Sequence, residues 1–285
     1  MHGGPRRRAL ARRKRPPLRS AWAWLNGGLA LGTLWACAQP QAQPPVSASA
    51  PTGLEVEVAA AETLDTFSRM ELLGQFDPAT HSGFESIPST WTDKNGIYLR
   101  AEVLEAYGRM KAAADQAGIQ LVIRSATRNF EYQRGIWERK WQRPQYMGWQ
   151  DIDKARDILS YSAMPGASRH HWGTDIDLNS FENEWFTSGE GADIYAWLTA
   201  HASDFGFHQV YDDKSTGRTG YELERWHWSY LPTAGPMLTA YNRMVGTSDL
   251  TKAGFSGALT ADSLNVLQEF VNGIDLPAPY RNTER

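Results

Sequence analysis

Residues 168–179 read Ser-Arg-His-His-Trp-Gly-Thr-Asp-Ile-Asp-Leu-Asn, and the second half of this run decides the architecture. Thr174, Ile176 and Leu178 alternate with Asp175, Asp177 and Asn179, which predicts a strand with an apolar face and an acidic one. Gly173 offers a sharp turn at its start. Working back toward the amino terminus, a Pro165-Gly166 turn follows a short helix over 151–159, and 130–141 is a second amphipathic stretch. Ile119 to Ile123 alternates as a strand would. Before it, Leu99, Val103, Tyr107, Met110 and Ala114 share one helical face that Gly118 brings to an end. Toward the carboxyl terminus come a helix over 193–203 stopped by Gly206, a short aromatic strand at 226–230, and helices over 236–245 and 260–271. No repeat is present. One α+β domain with a central, largely antiparallel sheet flanked by helices is the simplest arrangement of these elements.

The composition sets the outer limits. With 285 residues, 41% hydrophobic and 12% aromatic, the chain can bury a sizeable core and is neither disordered nor collagen-like. Eight of its 29 basic residues fall in the first twenty positions, and no acid precedes Glu55. Without those eight charges the formal net charge moves from −3 to −11, and so acidic a body argues against nucleic acid as a partner. The basic run leads into the uncharged, glycine-broken stretch 21–36, so residues 1–37 read as a signal peptide. Leu34-Trp35-Ala36-Cys37 resembles a lipobox, while Ala36-Cys37-Ala38 suits ordinary signal peptidase, and an uncleaved anchor is the third alternative. Cys37 is the single cysteine of the chain, so it has no disulfide partner and becomes the candidate lipidation site and membrane tie. Residues 38–60 begin Ala-Gln-Pro-Gln-Ala-Gln-Pro-Pro and read as a flexible linker. Export to the cell envelope, by lipid anchor or secretion, predicts chemistry that does without ATP.

Chemically dense residues gather in two segments, 168–177 and 224–227. A catalytic zinc site takes three nitrogen or oxygen ligands, leaves a position open for water and needs a nearby carboxylate for the proton. The turn at Gly173 lets His170 and Asp177 converge, and His227 can join them from a neighbouring strand. Glu224, three residues before His227, is placed to act as a base without being a ligand.

The pattern Ser-x-His-x-x-Gly-x-x-x-Asp, followed some fifty residues later by Glu-x-Trp-His, resembles that of the VanY-type D-alanyl-D-alanine carboxypeptidases, the M15 zinc metallopeptidases. Ser125-Ala126-Thr127-Arg128 with Gln133 is similar to that family's upstream motif, and the resemblance spans about residues 68–235. It implies a D,D-peptidase/hedgehog-like fold and a peptidase domain over 61–245. Residues 246–285 could form a wall-binding module, but the segment is shorter than what usually folds alone, so it reads as a helical extension packed on the domain. The resemblance also implies Zn2+ held by His170, Asp177 and His227, Glu224 as general base and then acid, and Arg128, Ser168 and Gln133 beside the substrate. Peptidoglycan stem peptides would be that substrate, with a C-terminal D-alanine removed. An L,D-carboxypeptidase, an endopeptidase with the same site and a non-catalytic wall-binding protein are the rival readings. The family usually carries a small residue where this chain has Asp175, which reads either as a capping or solvent-facing acid or as a hydrogen-bond partner of a ligand. His171 reads as a supporting or structural residue, and Arg128 has an alternative as the surface partner of Glu131.

Overall fold

The computed structural model describes residues 67–281, so the leader, Cys37 and the linker over 38–60 lie outside the described residues. Helix α1 (Arg69–Leu72) is closed by a capping box between Ser68 and Glu71. Strands β1 (Phe84–Ser86) and β2 (Tyr98–Arg100) then pair antiparallel into a small sheet of their own. Helix α2 (Ala101–Gln116) follows, burying Val103, Tyr107, Met110 and Ala114 as the periodicity predicts. Gly118 takes the left-handed φ of 76°, and the amides of Gly118 and Ile119 return to the carbonyls of Asp115 and Ala114 at 3.0 and 2.8 Å. This closes the helix end.

The central sheet draws on β3 (Ile123–Ser125), β4 (Asp175–Leu178), β5 (Phe207–His208) and β6 (His227–Tyr230). Its order is β3-β4-β6-β5, and every neighbouring pair is antiparallel. Helices α3 (Phe130–Trp141) and α4 (Asp151–Leu159) lie between β3 and β4, and α5 (Gly189–His201) follows β4. Helices α6 (Leu231–Met244), α7 (Thr247–Thr251) and α8 (Thr260–Ser263) complete the chain order. The α+β architecture with an antiparallel central sheet is therefore the one present.

Several boundaries differ from the sequence reading: Leu99 falls in β2, so α2 begins at Ala101, and the helix expected over 193–203 already begins at Gly189. The strand expected over 119–123 enters the ladder only at Ile123, because Ile119 is spent on closing α2. Helix α6 starts at Leu231 rather than Pro236, since Pro232 sits in the first turn, where a missing N–H costs nothing. The helix expected over 260–271 breaks at Asn265, which takes φ 48°, and resumes as a π-type turn over Leu267–Val271.

Two apolar groups hold the elements. Ile176, Leu178 and Trp228 cluster with Val103, Tyr107 and Met110 of α2 and Ile194 and Leu198 of α5. The other group joins Trp137, Leu159, Trp172, Met237 and Tyr241 to Phe255, Val266 and Val271 of the carboxyl-terminal segment. On the pleat, Asp175, Asp177, His227 and Ser229 share the face opposite Ile176 and Trp228. That polar face is where the chemistry collects. No helix among the described residues is long and apolar enough to cross a membrane.

Candidate metal centre

A buried turn and a strand pair build the site. Residues Arg169–Trp172 form a tight 3-10 turn in which all four side chains are buried. Gly173 ends it at φ 72°, and a β-carbon there would come within 2.3 Å of the Phe84 ring, so both conformation and space require glycine. Arg100 ties the turn down, its Nε donating to the Trp172 carbonyl at 2.7 Å and its amide to that of Gly173 at 3.3 Å. On the β4–β6 ladder Asp177 lies directly opposite His227, and directly opposed residues project their side chains to the same face. The turn thus delivers His170, and the ladder delivers the other two.

Three donor atoms converge. His170 Nε2 lies 3.3 Å from His227 Nδ1, His227 Nδ1 lies 3.1 Å from Asp177 Oδ1, and His170 Nε2 lies 3.4 Å from Asp177 Oδ2. Zinc bonds of 2.0–2.1 Å at tetrahedral angles separate ligand atoms by about 3.3 Å. The spacing therefore fits such an ion, and these three residues, all buried, are the set among the described residues that could hold a metal.

The second nitrogen of each ring fixes its tautomer. His170 Nδ1 lies 2.8 Å from the Ala126 carbonyl, which requires the proton there and leaves the Nε2 lone pair toward the site. His227 Nε2 lies 3.0 Å from Asp175 Oδ1, which holds a proton there and makes Nδ1, 3.1 Å from Asp177 Oδ1, the nitrogen that a metal would take in place of a proton. Asp175 is wholly buried rather than solvent-facing. It accepts from Arg169 Nε at 3.2 Å and Thr174 Oγ1 at 2.5 Å, while Arg169 Nη2 donates to Ser229 Oγ at 2.7 Å. The ring of Tyr211 lies 4.4 Å from that of His227.

Charge follows geometry. Burial opposes ionisation of Asp175 and Asp177, yet Arg169 and His227 around the first, and His170, His227 and Arg128 around the second, hold both carboxyls below the usual range. Burial likewise disfavours the His227 imidazolium, but its bonds to Asp175 and Asp177 outweigh this and raise its pKa to about 9. A metal ion competes with that proton. Burial, with Asp177 adding repulsion, pushes Glu224 up to about 7 against the pull of His227 and Arg128.

The remaining candidates surround one cavity of about 480 Å³ lined by His170, Asp177, His227, Glu224, Arg128, Ser168 and Gln133. Glu224 Oε2 stands 3.9 Å from His227 Nδ1. Arg128 Nη1 lies 3.5 Å from Asp177 Oδ2, whereas Glu131 pairs with Arg134, so the surface pair considered for Arg128 does not form. Gln133 Nε2 donates to the Ala163 carbonyl at 2.7 Å. His171 is a staple: burial keeps its ring neutral, with a pKa lowered to about 3, and its two nitrogens meet the Arg128 carbonyl at 2.6 Å and the Gly166 amide at 3.0 Å. The sequence reading left out Lys140, Arg169 and Tyr211, which line the same cavity. Lys140 follows Gln133 at a helical spacing that could have marked it, whereas Tyr211 sits in a loop and gave no signal.

Comparison with known proteins agrees with these motifs. Residues 96–233 match the VanY family model, D-alanyl-D-alanine carboxypeptidase. Over 119 residues the chain is 28% identical to a D-alanyl-D-alanine carboxypeptidase of Enterococcus faecalis, covering 42% of this chain and 43% of that one. Over 138 residues it is 25% identical to a D-alanyl-D-alanine carboxypeptidase of Enterococcus faecium, covering 48% and 39%. The match thus spans less than half the length of these curated relatives. Among solved structures, VanYB in complex with D-alanine-D-alanine is 23% identical with a TM-score of 0.42, covering 56% of this chain and 89% of that one. Over residues 96–233, then, this chain is similar to the VanY family of D-alanyl-D-alanine carboxypeptidases.

Proposed function

We propose that this protein is an exported zinc peptidase that removes a C-terminal D-alanine from peptidoglycan stem peptides. The observation that carries the reading is the convergence of His170 Nε2, Asp177 and His227 Nδ1 at tetrahedral spacing in a cavity that also holds Glu224. When bound, zinc supplies Lewis acidity, lowering the pKa of a water toward about 7 and polarising an amide carbonyl. Glu224 is the general base: it takes a proton from the attacking water and passes it to the leaving amine. A pKa near 7 suits both transfers. Arg128, held beside Asp177 and clamped through its carbonyl by His171, offers its guanidinium to the oxyanion that develops. Ser168 and Gln133 complete the wall against which the peptide lies. The basic leader supports export, and Cys37 is the proposed point of lipid attachment.

A carboxypeptidase must hold a free terminal carboxylate. Converting that carboxylate of a D-alanyl-D-alanine peptide to an amide is expected to abolish cleavage, measured by released D-alanine. Equal cleavage of acid and amide would move the reading to an endopeptidase.

Asp175 acts through His227 in this scheme. Asp175→Asn is expected to weaken zinc binding about 10- to 100-fold, measured by competition with a chromophoric chelator. Unchanged affinity would make the Asp175–His227 contact a matter of packing alone.

A further inference from the structure

Arginine and lysine line the cavity at three positions: Arg128, Arg169 and Lys140. Two of them are matched by carboxylates of the fold. Arg169 lies 3.2 Å from Asp175 and Arg128 lies 3.5 Å from Asp177. Lys140 has no such match. Among the described residues no carboxylate stands within 4.0 Å of its Nζ, whose hydrogen bond goes to Ser162 Oγ at 2.5 Å. Glu138, close by on the same helix, is occupied by the amide and hydroxyl of Ser256 at 2.8 and 2.7 Å. A part-buried ammonium with no carboxylate in contact loses hydration that a single hydroxyl replaces only in part. Burial, followed by the charge of Arg143, pulls its pKa down, with Glu224 acting in the opposite sense.

The surroundings of Lys140 are built for a polar ligand. Gln133, Ile136 and Lys140 line the cavity from α3, and Ser162 and Ala163 line it from the following loop. Gln133 binds the Ala163 carbonyl through Nε2, which leaves its buried Oε1 without a partner, as is the buried Nε of Arg128. The Ser162 hydroxyl accepts from Lys140, so its own proton is available to a second acceptor. Seven residues of helix put Lys140 about 10 Å along the axis from Gln133, whereas Arg128 stands next to Asp177.

We propose that Lys140, with Ser162, binds a carboxylate of the substrate along α3 while the scissile bond lies at the His170, Asp177, His227 and Glu224 end of the cavity. The inference rests on the peptidase reading above and names the anionic group its substrate must carry. Two parts of a stem peptide bear that chemistry: the free C-terminus and an acidic side chain.

The test uses zinc-loaded E224Q protein, so that binding is read without turnover. Three probes are titrated by calorimetry: an N-acetylated tripeptide with uncharged side chains ending in D-alanyl-D-alanine, its C-terminal amide, and the amide bearing a carboxylate side chain on its first residue. K140M on this background is expected to weaken the peptide whose carboxylate it holds about 10- to 100-fold, and K140R to recover most of the loss. In the enzyme with Glu224 intact, K140M is expected to raise KM far more than it lowers kcat. Loss confined to the free acid assigns the C-terminus, and loss confined to the side-chain carboxylate assigns the stem. Equal affinities with and without Lys140, or no binding of either carboxylate peptide by the Lys140 protein, would overturn the proposal. An unmodified zinc enzyme that cleaves no stem peptide would instead sink the peptidase reading, with the calorimetry still judging Lys140.

Discussion

Glu224→Gln is expected to lower kcat for stem-peptide cleavage by about 10²- to 10⁴-fold while zinc content stays at about one ion per chain. The two readouts separate because Glu224 lies outside the converging donors, with its nearer carboxylate oxygen 3.9 Å from His227 Nδ1. Glutamine keeps the volume and the hydrogen-bonding reach of the side chain but cannot accept a proton at working pH. Burial around Glu224 already favours its neutral form, so the substitution places no new charge in the cavity and little loss of stability is expected. Steady-state kinetics and metal analysis on the same preparation decide the matter. Retained activity would remove Glu224 from the proton path, and lost zinc would make it a ligand.

His170→Ala and His227→Ala are expected to fail earlier, at the metal. Each removes one of three donors, and zinc content after dialysis should fall close to zero, with activity down by more than about 10³-fold. Several kcal/mol of transition-state stabilisation depend on the ion, and 1.36 kcal/mol corresponds to a factor of ten. The pair of variants divides two effects. Removing His227 also takes away the group that lies between Asp175 and Asp177 at 3.0 and 3.1 Å, so apo protein should lose stability from two buried carboxylates left facing each other. Removing His170 leaves that arrangement in place. Thermal unfolding of the metal-free forms should therefore show the larger drop for His227→Ala. Variants that keep full zinc would place the ion elsewhere.

Much of this arrangement was legible in the chain itself. The 130–141 and 151–159 helices appear at their expected bounds because their apolar spacing, the Asn129 cap and the acidic first turn of 151–159 all favour the same ends. The alternation over 174–179 correctly put Asp175 and Asp177 on one face, and the positions of His170, Glu224 and His227 followed from motif spacing. What escaped depended on contacts distant in sequence. Asp175 looks like a surface acid until Arg169, Ser229 and His227 are seen to enclose it. The β1–β2 pair went unread because its three-residue strands are too short to show a period and are held by the 173 turn and α2. The break at Asn265 reflects how the carboxyl-terminal segment fits Val266 and Val271 into a core formed by α3, α4 and α6.

The most direct measurement is mass spectrometry of defined muropeptides, with penta- and tetrapeptide stems, cross-linked and free, incubated with protein that is zinc-loaded or chelator-treated. Loss of one alanine from the free pentapeptide, only in the zinc-loaded sample, is the predicted result. Loss from the tetrapeptide alone would assign L,D specificity to the same centre. No change in any stem, despite stoichiometric zinc at His170, Asp177 and His227, would contradict catalysis and leave a protein that binds the wall without cutting it.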